Sequence, residues 1–329
     1  MYTEYFGLTE EPFNVTPDPK FLFPSAKHQD ALTRIGHGVS KRKGIMALIG
    51  EAGTGKTTLI RTLLKGLNGN TVSAWVFNTT LQDEDLICYI CKDFGIKVKK
   101  NDKSELFMEL NRFLMDVYSK GKNAILVVDE AQNVNPYWLE QIRQLTNLET
   151  STQKLLQVIL SGQPKLEEHL ANPGLKQLNQ RISVRSRLSR LNKNETMQYI
   201  KHRLNVVNGD SEKIFETEAL ESVYEVSKGI PRLINVVCDN ALMRGQKEKV
   251  SKIRAEIVLS LLKEGLITTA DRQNESALTR IKSTMMTPKV SRITLKPKSN
   301  GSNGNGKLAK MMEFGNEFAG VDMGVLAIA

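Results

Sequence analysis

Cysteine is scarce in this chain: three residues in 329, Cys88, Cys91 and Cys238. So few thiols exclude a disulfide framework. Cys88 and Cys91 have C-x-x-C spacing, but no second pair completes a zinc site, and both fall in an apolar helical run from Leu86 to Phe94. Core packing is their expected role. Long hydrophobic runs are absent as well. No apolar stretch approaches the ~18 residues that a membrane-spanning helix needs. The opening Met1-Tyr2-Thr3-Glu4-Tyr5 has neither the basic nor the apolar region of a signal peptide. A cytoplasmic protein without a membrane span is therefore expected. Aromatic residues make up only 6% of the chain. They are unevenly spent: Phe6, Phe13, Phe21 and Phe23 crowd into residues 1–26 beside Pro12, Pro17, Pro19 and Pro24. That lead reads as an ordered loop packed against the first domain. Internal repeats are lacking too.

The chain is rich in phosphate-binding signal. Gly50-Glu51-Ala52-Gly53-Thr54-Gly55-Lys56-Thr57 fits the P-loop pattern G-x-x-x-x-G-K-[ST]. The apolar run Ile45–Ile49 precedes it as a strand, and the periodic run Thr58–Leu67 follows it as a helix. Glycines permit the tight turn that aims successive N–H groups at phosphate oxygens, and the positive helix end adds to the field. Lys56 is expected to reach the β- and γ-phosphates, Thr57 to ligate Mg²⁺, and Thr58 to complete the cradle.

A second apolar run, Ala124–Val128, ends in Asp129-Glu130. Carboxylates at a strand's carboxyl end lie in the crevice where open α/β sheets bind ligands. Asp129 is expected to hold Mg²⁺ through water, and Glu130 to polarise the attacking water as general base. A third run, Leu155–Leu160, ends in Ser161-Gly162-Gln163-Pro164. Ser161 is the first choice there for contact with the γ-phosphate or the water, and Gln163 the second.

The wider pattern alternates strands with helices. Strands are expected at Ile45–Ile49, Val72–Asn78, Ala124–Val128 and Leu155–Leu160. Helices are expected at Lys27–Lys41, Thr58–Leu67, Asp83–Phe94, Ser104–Tyr118 and Pro136–Leu148. This order implies an α/β fold with a parallel sheet flanked by helices over residues 1–190. Asn135-Pro136 reads as a helix start. After Ser189 only helical runs follow, at Lys193–Val207, Thr217–Ser227, Pro231–Gly245 and Ser251–Lys263, with Asn192 and Glu195 spaced as a capping box. They form a small all-α domain over residues 191–267. Residues 268–329 read as a flexible, low-complexity tail. Its stretch from Arg272 to Lys310 holds nine Lys/Arg residues and one acid, Glu275, and so carries much of the net charge of +10. Such a charge permits nucleic acid or an acidic membrane surface as partner.

Taken in order, the P-loop, the strand-borne Asp-Glu, the polar residue ending the next strand and the helical lid resemble the AAA+ ATPases. The resemblance gives Arg181 the place of an arginine finger acting on a neighbouring subunit, with Arg185 and Arg187 as rivals. It gives Arg232, in Gly229-Ile230-Pro231-Arg232, the place of the lid arginine that reaches the γ-phosphate of its own subunit. More finely, Tyr5-Phe6-Gly7-Leu8, Pro12-Phe13, Pro17-Asp18-Pro19, His28, Ala31-Leu32, Leu145-Thr146-Asn147-Leu148-Glu149, Gly162-Gln163-Pro164 and Gln180-Arg181-Ile182 are similar to the ExeA/GspA-like ATPases over residues 1–265. That resemblance implies ATP and Mg²⁺ as cofactors, ATP hydrolysis, and a nucleotide-dependent homo-oligomer, ring or filament. It further implies a protein partner in the assembly of a secretion, pilus or exopolysaccharide system, with peripheral attachment to the inner membrane through partners. It places Phe6, Phe13 and His28 near the adenine. Many members add a transmembrane helix and a peptidoglycan-binding domain; this chain resembles the stand-alone members that lack them. A DNA-associated regulator of transposition or recombination is the second reading. No helix-turn-helix pattern follows the lid to support it.

Overall fold

A computed structural model describes residues 1–67, 69–77, 86–97 and 102–267. The start of the expected helix at Asp83, the end of the expected strand at Asn78 and the whole tail 268–329 lie outside them.

Five parallel strands form one sheet: β1 (Ile45–Gly50), β2 (Thr71–Val76), β3 (Asn123–Val128), β4 (Leu156–Gly162) and β5 (Ile182–Leu188). Their spatial order is β2-β3-β4-β1-β5. The register sets Val128 beside Leu160 and Ile49 beside Gly162, so β4 carries its last residues between the ends of β3 and β1. Strand parity sorts the core. Ile45, Ala47, Ile49, Leu126, Val128 and Val158 face one layer, where they meet α4 (Leu86–Asp93), α5 (Lys103–Ser119), α6 (Pro136–Leu145) and α7 (Lys165–Ala171). Met46, Leu48, Ile125, Val127 and Ile159 face the other and meet α2 (Ala26–Ser40) and α3 (Lys56–Gly66). Because both faces are covered, β1, β3 and β4 are predominantly apolar, with Gln157 and Ser161 the buried polar residues of β4.

β5 has no counterpart among the strands expected from sequence. Ile182, Ser186 and Leu188 are buried while Ser183, Arg185 and Arg187 are exposed, as befits a strand at the sheet's edge. Its alternating polar positions lack the continuous apolar signal of the inner strands. It follows α8 (Lys176–Arg181) and leads out of the sheet.

Beyond the sheet come α9 (Lys193–Val206), α10 (Ser211–Ile214), α11 (Thr217–Ser227), α12 (Pro231–Lys247) and α13 (Ala255–Lys263). The capping box forms: Glu195 N–H donates to Asn192 Oδ1 at 2.9 Å and Asn192 N–H to the Glu195 carboxylate at 2.9 Å. Asn135 likewise caps α6, accepting from Trp138 N–H at 2.8 Å. The lead departs from expectation in two ways. It contains a short helix α1 (Tyr2–Tyr5) and a 3₁₀ turn at Pro19–Phe21. Moreover, Tyr2, Leu8, Phe13 and Phe21 enter the core of the helical cluster with Ile200, Leu204, Phe215 and Val237, rather than packing on the sheet domain. Phe13 meets Phe215 edge-to-face at 6.5 Å. The sheet's flanks were already saturated by α2 to α7, whereas the small helical cluster needs added apolar surface to close its core. The cysteines bear out core packing: all three are buried and none is in a disulfide.

Candidate functional site

The P-loop joins β1 to α3 through two left-handed glycines, Gly53 (φ +80) and Gly55 (φ +95). A Cβ on Gly53 would sit 2.7 Å from the Arg232 Cβ, because the start of α12 presses onto the loop and Arg232 N–H donates to the Gly53 carbonyl at 3.1 Å. Lys56 is the first residue of α3 and only 5% exposed. Its ammonium donates to the carbonyls of Gly50 (2.8 Å) and Glu51 (3.0 Å). Burial pulls its pKa below the ordinary lysine value, opposed by the nearby carboxylates of Glu130, Asp129 and Glu51. Glu51 contributes its backbone here; its side chain is turned to Arg190, which grips both carboxylate oxygens at 2.7–3.0 Å.

The strand ends bring the acids to this loop. Thr57 Oγ1 donates to Asp129 Oδ2 at 2.7 Å, and Ser161 Oγ donates to Asp129 Oδ1 at 2.7 Å. The two oxygens of Thr57 and Asp129 are a donor set suited to a hard cation such as Mg²⁺. Ser161 is fully buried behind Asp129, so its hydroxyl serves the carboxylate and does not face the cavity. The Ser161 hydroxyl is thus engaged by Asp129 in this structure, while Gln163, two residues on, donates to Glu130. Glu130 holds a left-handed backbone (φ 50, ψ 40), which costs a non-glycine residue ~1–2 kcal/mol. Its Oε2 accepts from Gln132 Nε2 at 2.6 Å and Gln163 Nε2 at 3.1 Å.

A cavity of about 370 Å³ opens over these groups. Gly53 to Thr58, Glu130 and Arg232 line one side of it, and Asn14 to Asp18, Phe21, Phe23, Tyr199, Arg203 and Asn235 the other. His28 links the two: its Nε2 lies 3.1 Å from the Thr54 carbonyl and its Nδ1 2.7 Å from Ser25 Oγ. A carbonyl can only accept, so Nε2 carries the proton and Nδ1 accepts from the hydroxyl. His28 therefore does sit at the cavity, but Phe6 and Phe13 do not line it; both are spent in the helical cluster, and Phe21 and Phe23 take the wall. Gly50 and Ala52 lie in the loop without lining the cavity.

The arginines divide. Arg232 lines the cavity, whereas Arg181, at the end of α8, is exposed and away from it. Arg181 Nη1 donates to Asn147 Oδ1 (2.5 Å), Thr146 Oγ1 (3.2 Å) and the Arg143 carbonyl (3.4 Å). It makes no direct ion pair among the described residues, and its charge acts on the nearby carboxylates of Glu140 and Glu149. Arg187 differs in being neutralised by Glu167 at 2.6 Å, and Arg185 is held by the Asn179 carbonyl at 3.1 Å. Sequence reasoning missed Gln132, Arg190 and Arg203. Gln132 sits two residues past Glu130 and carried no motif of its own. Arg203 is buried; it stacks 4.4 Å over the Phe21 ring and bonds the carbonyls of Pro12 and Asn14 (the latter at 3.1 Å). Its spacing four residues after Tyr199 is an ordinary helical one.

A parallel sheet with a P-loop after one strand, paired acids after another and a helical cap defines a P-loop protein of the AAA type, and the model of the AAA domain matches residues 39–170. Within that class the chain belongs to the AAA+ proteins similar to general secretion pathway protein A. It is 43% identical to that protein of Aeromonas hydrophila over 244 residues, covering 74% of this chain and 44% of the relative. The chain thus spans less than half the length of that relative. Among solved structures, the Aeropyrum pernix ORC2 protein in its ADPNP–ADP complexes superposes with a TM-score of 0.60 at 16% identity, over 78% of this chain and 71% of that one. Drosophila ORC bound to DNA gives a TM-score of 0.59 at 17% identity, over 78% and 65%. These structural likenesses show the fold. No helix among the described residues is long and apolar enough to cross a membrane.

Proposed function

We propose that the chain binds and hydrolyses ATP, and uses the cycle to assist assembly of a cell-envelope secretion, pilus or exopolysaccharide system from the cytoplasmic side. The observation that carries the chemistry is convergence: Lys56, the Thr57–Asp129 pair and Glu130 meet at the carboxyl ends of β1 and β3, with β4 between them. The backbone N–H groups of residues 53–58 cradle the phosphates, and Lys56 exchanges its two carbonyl partners for phosphate oxygens. Thr57 and Asp129 are the residues that would hold Mg²⁺, which would supply positive charge to offset that of the phosphates. Ser161 fixes Asp129 in that task. Glu130 accepts a proton from the water whose oxygen attacks the γ-phosphorus as the bond to the β-phosphate oxygen breaks. Arg232 serves the γ-phosphate of its own subunit. Arg181, solvent-facing and in no direct ion pair, serves a neighbouring copy in a homo-oligomer. The assembly role rests on the 43% identity to general secretion pathway protein A.

The test compares Lys56→Ala with Glu130→Gln. The first should lose nucleotide binding; the second should bind ATP normally and release phosphate at least ~100-fold more slowly, the contribution of a positioned general base. Wild-type turnover by Glu130→Gln would remove Glu130 as base. Duplex DNA added to the wild type should leave the rate unchanged at physiological salt; strong stimulation would favour a DNA-associated regulator instead.

A further inference from the structure

Two glutamines stand against Glu130: Gln132, which the sequence did not single out, and Gln163. Gln132, in the 3₁₀ turn after β3, is 5% exposed, and its Nε2 donates to Glu130 Oε2 at 2.6 Å. Gln163, just past β4, donates its own Nε2 to the same oxygen at 3.1 Å. The Gln132 amide is also fixed to the backbone of residue 163, whose N–H donates to Gln132 Oε1 at 3.0 Å. A backbone N–H can only donate, so the orientation of the Gln132 amide follows: its oxygen faces residue 163 and its NH₂ faces Glu130. Gly162 leaves room for this arrangement. A Cβ there would stand 3.0 Å from Gln132 Oε1 and 2.7 Å from Leu166 Cδ2.

We propose that Gln132 and Gln163 are positioning residues that hold the Glu130 carboxylate in its working orientation, resting on the reading of Glu130 as general base. Both donors occupy Oε2. Oε1 has no hydrogen-bond partner among the described residues and is the oxygen left to accept the proton from water. Glu130 lines the cavity in this pose and its charge acts on Lys56, so the clamped carboxylate is on the reacting side and not turned away. The clamp also spans two strands. Gln132 follows β3, which carries the acids, and Gln163 follows β4, whose Ser161 anchors Asp129. A shift of the β4 end would therefore move both carboxylates together.

The experiment is steady-state hydrolysis with separate measurement of ATP affinity, on the full chain. Gln132→Met keeps length and removes that residue's amide, both its NH₂ and its oxygen. It should lower kcat ~10-fold or more, because a misplaced base loses much of its advantage. ATP affinity should stay within about twofold, since neither amide is assigned to the nucleotide. In a Glu130→Gln background the same change should have no further effect on the residual rate. A merely structural role would instead lower the rate equally in both backgrounds, and that result would overturn the proposal. So would a wild-type or raised kcat in Gln132→Met, the latter showing a parked carboxylate. If Gln132→Met melts well below the wild type, Gln163→Met, on the half-exposed partner, carries the same comparison. Wild-type turnover by Glu130→Gln alone is a different result: it removes the base reading itself, and the positioning role with it.

Discussion

Replacing Gly53 by alanine tests whether the lid and the P-loop form one device. Two costs add at this residue. The first is backbone strain, ~1–2 kcal/mol for an L-residue in the left-handed region that φ +80 requires. The second is collision: the new methyl would stand 2.7 Å from Arg232 Cβ and 3.2 Å from Ile230 Cγ2, where carbons prefer about 3.5–4.0 Å. Relief demands that the start of α12 retreat by roughly 1 Å. That retreat breaks the 3.1 Å bond from Arg232 N–H to the Gly53 carbonyl, worth ~0.5–1.5 kcal/mol, and carries Arg232 off the cavity. The sum is about 2–3 kcal/mol, or a fall in melting temperature of roughly 5–10 °C. If about half of it falls on lid closure, ATP affinity drops ~10-fold. The control is Gly69→Ala. Gly69 has φ +64 with nothing within 4 Å of an added Cβ, so it meets the strain without the collision. It should lower the melting temperature by a smaller amount and leave ATP affinity at the wild-type value. Thermal melts and titration with a fluorescent nucleotide read both variants. Equal affinity losses in the two, or no loss in Gly53→Ala, would refute the claim that the lid touches the loop in the nucleotide-competent state.

Two further outcomes follow from the same geometry. Arg181→Ala and Glu130→Gln subunits should each be nearly inactive alone, and mixed oligomers should regain part of the rate, because some interfaces then pair an intact Glu130 with an intact Arg181; co-assembly without rescue would argue against action across subunits. Stability should also fall as pH drops from about 7.5 to 5.5: burial holds the His28 and His202 pKa values below 6.5, so the unfolded chain takes up protons that the folded chain refuses. The contribution is fully present above pH 6.5 and is lost below it; His28→Gln should flatten the melting-temperature profile, and an unchanged slope would sink the assignment.

How far the sequence carried this reading depends on the kind of signal. β1, β3 and β4 were legible because both faces of an inner parallel strand are covered, which leaves a nearly continuous apolar run, interrupted in β4 by the buried Gln157. β5 was not, because an edge strand with arginines on one face has half that signal. The P-loop and Asp129-Glu130 were legible because the chemistry fixes residue type at short spacing. Ser161 was legible as a polar group at a strand end, yet sequence could not say which way it points; strand parity turns it inward to Asp129. Gln132, Arg190 and Arg203 were hidden for a further reason. Each acts through partners that the fold alone brings near: residue 163, residue 51 and the carbonyls of residues 12 and 14.

The lead illustrates what such hidden contacts can do. Tyr2, Phe13 and Phe21 are buried in the helical cluster, and Arg203, Tyr199 and Asn235 tie the lead's backbone down: Arg203 and Asn235 both donate to the Asn14 carbonyl, at 3.1 and 3.4 Å, while Tyr199 bridges them at 2.9 and 2.8 Å. Arg61 of α3 reaches back to the Pro17 carbonyl at 3.0 Å, and His28 ties the following helix to Thr54 at 3.1 Å. The lead and the helical cluster supply one wall of the cavity and the P-loop side the other, with the start of α12 also pressing onto Gly53 through Ile230 and Arg232. Large apolar burial fixes the lead to the helical cluster; a few hydrogen bonds, each worth about 0.5–1.5 kcal/mol, join it to the P-loop side. The join is the weaker of the two by that comparison, which makes it the place where a bound nucleotide, touching both walls, has the most to add.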